Sequence, residues 1–125
     1  MTGVDEDFAA SVFERNCASR GVLTDITGRW GSLALGALHE GAFRFNALRR
    51  RVDGVSEKML AQTLQALERD GLVRREVQAT IPPRVEYSLT DLGERVAAKM
   101  KDLIVLVEGE MDQVRAAQEA YDRAH

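Results

Sequence analysis

The chain is 125 residues long, with 45% hydrophobic and 30% charged residues and a formal charge of −3. That length suits one compact domain and cannot hold two ordinary cores. The longest apolar run has five residues, whereas a membrane helix needs about 20, and the acidic start precedes no signal-peptide-like segment. The single cysteine excludes an internal disulfide and a cysteine zinc site. We expect a soluble, cytoplasmic, single-domain protein without cofactor, metal or membrane partner.

Positive charge is concentrated in the middle of the chain. Residues 42–85 contain nine basic and five acidic residues, a net charge of +4, while the remainder carries −7. A polyanion responds to the local potential within about 8–10 Å rather than to the net charge. The basic segment is therefore compatible with phosphate binding, although an arginine-rich composition would also produce it without such a role.

The first half of the chain carries helical patterns. Apolar residues at near-helical spacing predict an N-terminal helix over about 7–17. A short helical piece is predicted between Gly21 and Gly28. Apolar residues over 30–38 then recur at i, i+3, i+4 and i+7, which predicts an amphipathic helix anchored in the core by Trp30. A two-turn helix over 45–52 and an Asp-Gly turn follow.

The second half combines a helix, a hairpin and a long helix. Ser56 is a good N-cap for a helix over about 56–70, whose apolar stripe includes Met59 and three leucines. Alternating residues on both sides of Pro82-Pro83 predict a β-hairpin over about 73–89. A final helix over about 90–122 has apolar residues at steps of three and four.

This order of elements is that of a winged helix-turn-helix, a mainly α fold with a small β-hairpin (α+β). The DNA major groove is about 12 Å wide and admits one helix, braced by the helix before it. With the leucines of helix 56–70 in the core, Lys58, Gln62 and Gln65 point outward and can read base edges. Phosphate contacts are expected around the turn and the wing, from Arg49, Arg50, Arg51, Ser56 and Arg84. A solvated polar face remains the alternative for each of these residues.

Several motifs strengthen this interpretation. Gly28-Arg29-Trp30, residues 43–49, residues 54–60 and above all the run from Pro82 to Gly93 resemble the HxlR-type branch of MarR-like bacterial transcription regulators. The resemblance covers about residues 17–96. It implies a homodimer, joined through N- and C-terminal helices, that binds a roughly palindromic double-stranded DNA operator. The family's Gly-Lys-Trp triplet is Gly28-Arg29-Trp30 here, and its Cys-Pro pair is Cys17-Ala18.

The predicted C-terminal helix also indicates a dimer independently of the resemblance. A helix of roughly 30 residues is about 45 Å long, which exceeds what one small domain can cover. Its apolar stripe needs a partner, and the sequence offers no other element of that length. The alternative is that the stripe folds back onto its own domain.

The resemblance implies one further role, because related regulators respond to electrophiles or oxidants through an N-terminal cysteine at the position of Cys17. Such chemistry needs an accessible thiolate near positive charge, and Arg15 and Arg20 flank it. A structural cysteine packed between helices is the alternative. A ligand-sensing regulator without cysteine chemistry and a winged helix that binds protein are the other functions left open. No enzyme is expected, because phosphate loops, nucleophile elbows and metal-ligand spacings are missing from the sequence.

Overall fold

The computed structural model describes residues 13–14 and 18–125. Within 18–125 it has six helices and three strands, so the predicted α+β fold class is confirmed. In chain order these are α1 (Ala18–Thr27), α2 (Arg29–Leu38), β1 (Phe43–Arg44), α3 (Phe45–Arg51), α4 (Glu57–Arg69), β2 (Val73–Gln78), β3 (Arg84–Leu89), α5 (Asp91–Gly109) and α6 (Met111–Ala124).

The wing is a small antiparallel sheet with the strand order β1-β3-β2. Strands β2 and β3 pair from Val73 opposite Leu89 to Gln78 opposite Arg84. The short β1 adds to the other edge, with Phe43 opposite Tyr87. Because Val73 and Leu89 are both buried, the base of the wing is fixed to the core and its tip projects away from it.

The core lies where α2, α3 and α4 meet the base of the wing. Its fully buried large side chains are all leucines: Leu35, Leu38, Leu48, Leu60, Leu64, Leu67 and Leu72. The predicted inward orientation of the three α4 leucines is therefore confirmed. Trp30 is half-buried against this cluster, which confirms its predicted role in the core. Met59, predicted to share the α4 stripe, is 41% exposed because the leucines already occupy the arc that faces the core.

Helix α5 begins in close contact with the turn between α4 and β2. The Thr90 hydroxyl accepts from the Gly93 amide at 3.0 Å and donates to the Gly71 carbonyl at 2.6 Å, while the Thr90 amide donates to the Leu72 carbonyl. Thr90 is thus both the N-cap of α5 and its link to the wing base. Gly93 is buried against the Leu72 backbone, where a side chain does not fit.

Two predicted helices differ in the structure. The interval predicted as one helix over about 90–122 contains two, because α5 ends at Gly109 and Glu110 leaves helical geometry at φ −111° and ψ 16°. Glycine has the lowest helix propensity apart from proline, so the break falls beside it. Of the N-terminal helix predicted over about 7–17, the structure describes only Phe13 and Glu14, which form a turn and a bend. The rest, including Cys17, lies outside the described residues.

Candidate nucleic-acid interface

The turn between α3 and α4 fixes the position of the second helix. Gly54 has φ +92°, a conformation that other residues rarely adopt. Ser56 then caps α4, with its hydroxyl oxygen accepting from the Met59 amide at 3.1 Å. Since one end of α4 is capped and its leucines are buried, its outer face is held in a single orientation.

That outer face carries the three residues predicted to read bases. Lys58, Gln62 and Gln65 are all exposed, on the side of α4 away from the buried leucines. Their spacing of four and three residues places them along one stripe of the helix. The stripe is about two turns long and presents one cation and two carboxamides, groups that can donate to or pair with base edges.

The arginines around the turn have different surroundings. Arg49 donates to Glu57 at 3.1 Å, beside the first turn of α4. Arg50 makes no ion pair within the described part of the chain, and it lines a surface concavity of about 360 Å³ together with Arg44 and Arg84. The structure therefore brings Arg50 of the turn and Arg84 of the wing to one surface, as an interface to a polyanion requires.

Arg51 lies apart from this group. Its Nε and Nη2 atoms donate to the two carboxylate oxygens of Glu40 at 2.8 and 2.9 Å. These bonds hold the pKa of Glu40 below its ordinary value, and the same carboxylate raises the pKa of Arg51. Both residues line a cleft against α5, beside Ile104. Arg51 is thus engaged within the domain.

Sequence reasoning missed two cations of this surface. Arg44, in β1, shares the concavity of Arg50 and Arg84. Arg75, in β2, lines a second concavity of about 390 Å³ with Gln65 and Tyr87, between α4 and the wing. Strand alternation could have indicated Arg75, because it lies on the same face as the buried Val73 and so points toward the domain.

The C-terminal helices leave a large apolar surface exposed. In α5, Gly93, Ala97 and Met100 are buried against the domain, and Ile104 is half-buried. Six large apolar side chains of α5 and α6 are exposed, and we call them the C-terminal apolar face: Leu103, Val105, Leu106, Val107, Val114 and Tyr121. Only the first half of the helix predicted to carry the stripe therefore packs on its own domain.

Two other kinds of functional feature are absent from the described residues. They contain no group of three or more His, Cys, Asp or Glu residues that could hold a metal ion. None of their helices is long and apolar enough to cross a membrane. His39 approaches Glu94 at 3.2 Å, and this contact joins the end of α2 to the start of α5.

Comparisons with known proteins agree with this geometry. The model of the HxlR-like helix-turn-helix family matches residues 25–115. The chain is 50% identical over 109 residues to the HTH-type transcriptional regulator YtfH of Escherichia coli K12, covering 87% of this chain and 86% of that protein. The solved structure of ytfH from Salmonella typhimurium is 52% identical, with a TM-score of 0.81 over 86% of this chain and 96% of that one. The reduced form of the redox regulator HypR is 33% identical, with a TM-score of 0.71 over 78% of this chain and 97% of HypR.

Proposed function

The chain belongs to the HxlR family of helix-turn-helix transcriptional regulators, and on this premise we propose that it binds an operator in double-stranded DNA as a homodimer. In each protomer α4 is the recognition helix and enters the major groove. The observation that carries the proposal is the exposed stripe of Lys58, Gln62 and Gln65 on a capped helix, opposite its buried leucines.

Sequence specificity comes from that stripe. A lysine donates to the acceptors of guanine, and a glutamine forms two hydrogen bonds with adenine. Each such contact discriminates against a wrong base by about 1–3 kcal/mol. Lys58, in the first turn, and Gln62, one turn later, would therefore read neighbouring positions, with Gln65 at the far end beside the wing.

Phosphate contacts come from the residues around the stripe. Arg50 and Arg84 are the strongest candidates, since they are exposed, unpaired within the described residues and on one surface. Ser56 uses its oxygen as an acceptor, so its O–H can donate to a phosphate. Arg49 can exchange Glu57 for a phosphate at little cost, because exposed ion pairs are weak. Arg51, whose charge is compensated by Glu40, would contribute least.

The proposed dimer covers the C-terminal apolar face. So many exposed large apolar side chains in two neighbouring helices of a small domain indicate an interaction site. A second copy related by a two-fold axis would cover the same face on both protomers. The two α4 helices would then meet successive major grooves on one side of the duplex, about 34 Å apart.

We also propose that Cys17 makes operator binding respond to oxidants. The likeness to the redox regulator HypR supports this role. Diamide should change the operator affinity of the wild-type protein, and Cys17→Ser should remove the change. An equal response in both proteins contradicts cysteine sensing, whereas a response to an organic compound in Cys17→Ser favours a regulator that senses a ligand without cysteine chemistry.

Fluorescence anisotropy with a duplex recovered by selection from fragmented genomic DNA tests the DNA proposal. Lys58→Ala and Gln62→Ala should weaken binding to this duplex more than to random DNA. Arg50→Ala should weaken both alike and lower the slope of log K against log salt by about one. Arg115→Ala, which removes an exposed arginine from α6, is the matched control and should leave the slope unchanged. Recovery of no fragment at low salt contradicts the proposal.

A further inference from the structure

The tip of the wing is uncharged and mostly apolar. Residues 78–83 contain no charged side chain, in a protein whose residues are 30% charged. Ile81 at the apex is 103% exposed, and both prolines after it are exposed as well. A single exposed apolar residue is ordinary, but a cluster at the end of a projecting hairpin is not explained by the packing of this domain.

The backbone holds Ile81 in a fixed position. The Thr80 hydroxyl donates to the Pro82 carbonyl at 2.7 Å, across Ile81, and the Thr80 amide donates to the Gln78 carbonyl at 2.8 Å. Pro82 and Pro83 have fixed φ angles. Because the turn is already ordered by these bonds, little conformational entropy is lost when its side chain is buried by a partner.

Positive charge lies beside this tip. Arg84 is paired in register with Gln78 at the base of the tip. Arg84, Arg50 and Arg44 line one concavity between α3 and the strand that follows the wing tip. An apolar end flanked by arginines matches the minor groove of DNA, where phosphates border the walls of a narrow channel.

The dimensions of the wing also match. Gln65 of α4 and Tyr87 of β3 line one concavity, so the wing lies beside the recognition helix at this level. Arg84 lies three residues farther along β3, about 10 Å at 3.3 Å per residue. The tip extends beyond that point. A major groove and its neighbouring minor groove are separated by half a helical turn, about 17 Å.

We propose that Ile81 is an apolar wedge that enters the minor groove beside the major groove occupied by α4. The inference rests on the proposed DNA binding and adds a specificity-determining residue to it. Apolar side chains inserted from the minor groove partly unstack a base step and bend the duplex. Pyrimidine–purine steps are the most easily kinked or unstacked. The wedge would therefore select such steps on the flanks of the operator, where α4 reads no base edge.

Ile81→Ala tests the proposal, with Val77→Ala as the matched control for an exposed apolar wing residue outside the apex. Because Ile81 is fully exposed, the substitution leaves the fold intact, which circular dichroism can verify. On the duplex selected by the wild-type protein, Ile81→Ala should weaken binding about 10-fold because an apolar contact is lost. The dependence of affinity on salt should be unchanged because the substitution removes no charge. Val77→Ala should bind within twofold of wild type.

Two further readouts separate the wedge from a general loss of affinity. Fluorescence energy transfer between labelled duplex ends should report a smaller bend with Ile81→Ala than with wild type. Selection repeated with Ile81→Ala should recover the same half-sites without the preference for flanking pyrimidine–purine steps.

Equal affinity, bend and flanking preference in the variant overturn the wedge while leaving the proposed function standing. Failure of the wild-type protein to bind any duplex overturns both. Unchanged DNA binding with lost transcriptional regulation assigns the tip to a protein partner and also overturns the wedge.

Discussion

Gly93→Ala should destabilise the protein by separating α5 from the base of the wing. A Cβ atom built on Gly93 lies 2.9 Å from the carbonyl carbon of Leu72, and closer still to its oxygen, whereas ordinary contacts begin at 3.4 Å. The neighbour is backbone and cannot rotate away. Overpacking of this kind lowers the free energy of unfolding by up to about 3 kcal/mol. The higher helix propensity of alanine restores about 1 kcal/mol of this loss. We therefore expect a loss of about 2 kcal/mol in the free energy of unfolding.

Urea denaturation followed by circular dichroism measures this loss. With a slope of about 2 kcal/mol per molar urea, the midpoint should fall by about 1 M. Gly109→Ala is the matched control, because a Cβ there meets nothing within 4 Å. Its stability should be unchanged or higher by up to about 1 kcal/mol. A Gly93→Ala protein as stable as wild type would show that α5 does not pack against Leu72 as described.

Three other substitutions address the cap of α4, the half-buried Asp70 and the dimer. Ser56→Ala removes the cap on the Met59 amide and should lower the free energy of unfolding by about 1 kcal/mol in the same assay. An unchanged free energy of unfolding would contradict the cap. Burial and the neighbouring Asp25 carboxyl raise the pKa of Asp70, so ionised Asp70 destabilises the fold as the pH rises through that raised pKa. Asp70→Asn should therefore melt higher than wild type at pH 7 and lose that part of the pH dependence, whereas a lower melting temperature would contradict the assignment. Leu106→Glu, on the C-terminal apolar face, should shift sedimentation toward monomer, and an unchanged distribution would place the dimer contact elsewhere.

Local patterns in the sequence were sufficient for most of the fold. The three leucines of α4, the alternation along both strands of the wing and the capping residues Ser56 and Thr90 all act within a few residues of themselves. Periodicity therefore indicates which face of a helix is buried, and a capping residue indicates where the helix starts. It does not indicate how wide the buried arc is, which is why Met59 is exposed although it continues the stripe.

The parts that could not be predicted depend on contacts between distant residues. Arg51 resembles its two neighbours in sequence, but only the fold brings Glu40 within 2.8 Å of it. Arg44 joins the surface of Arg50 because the two-residue strand β1 pairs with β3. The apolar tip at Ile81 is equally unremarkable in sequence, since an isoleucine before two prolines acquires meaning only from its complete exposure.

Sedimentation equilibrium of the protein mixed with the selected duplex tests most directly whether two recognition helices share one piece of DNA. The mass of the complex should correspond to two chains per duplex, and hydroxyl-radical protection on that duplex should show two regions about 34 Å apart on the same side. A complex with one chain per duplex, or a single protected region, would contradict the paired arrangement of the two protomers.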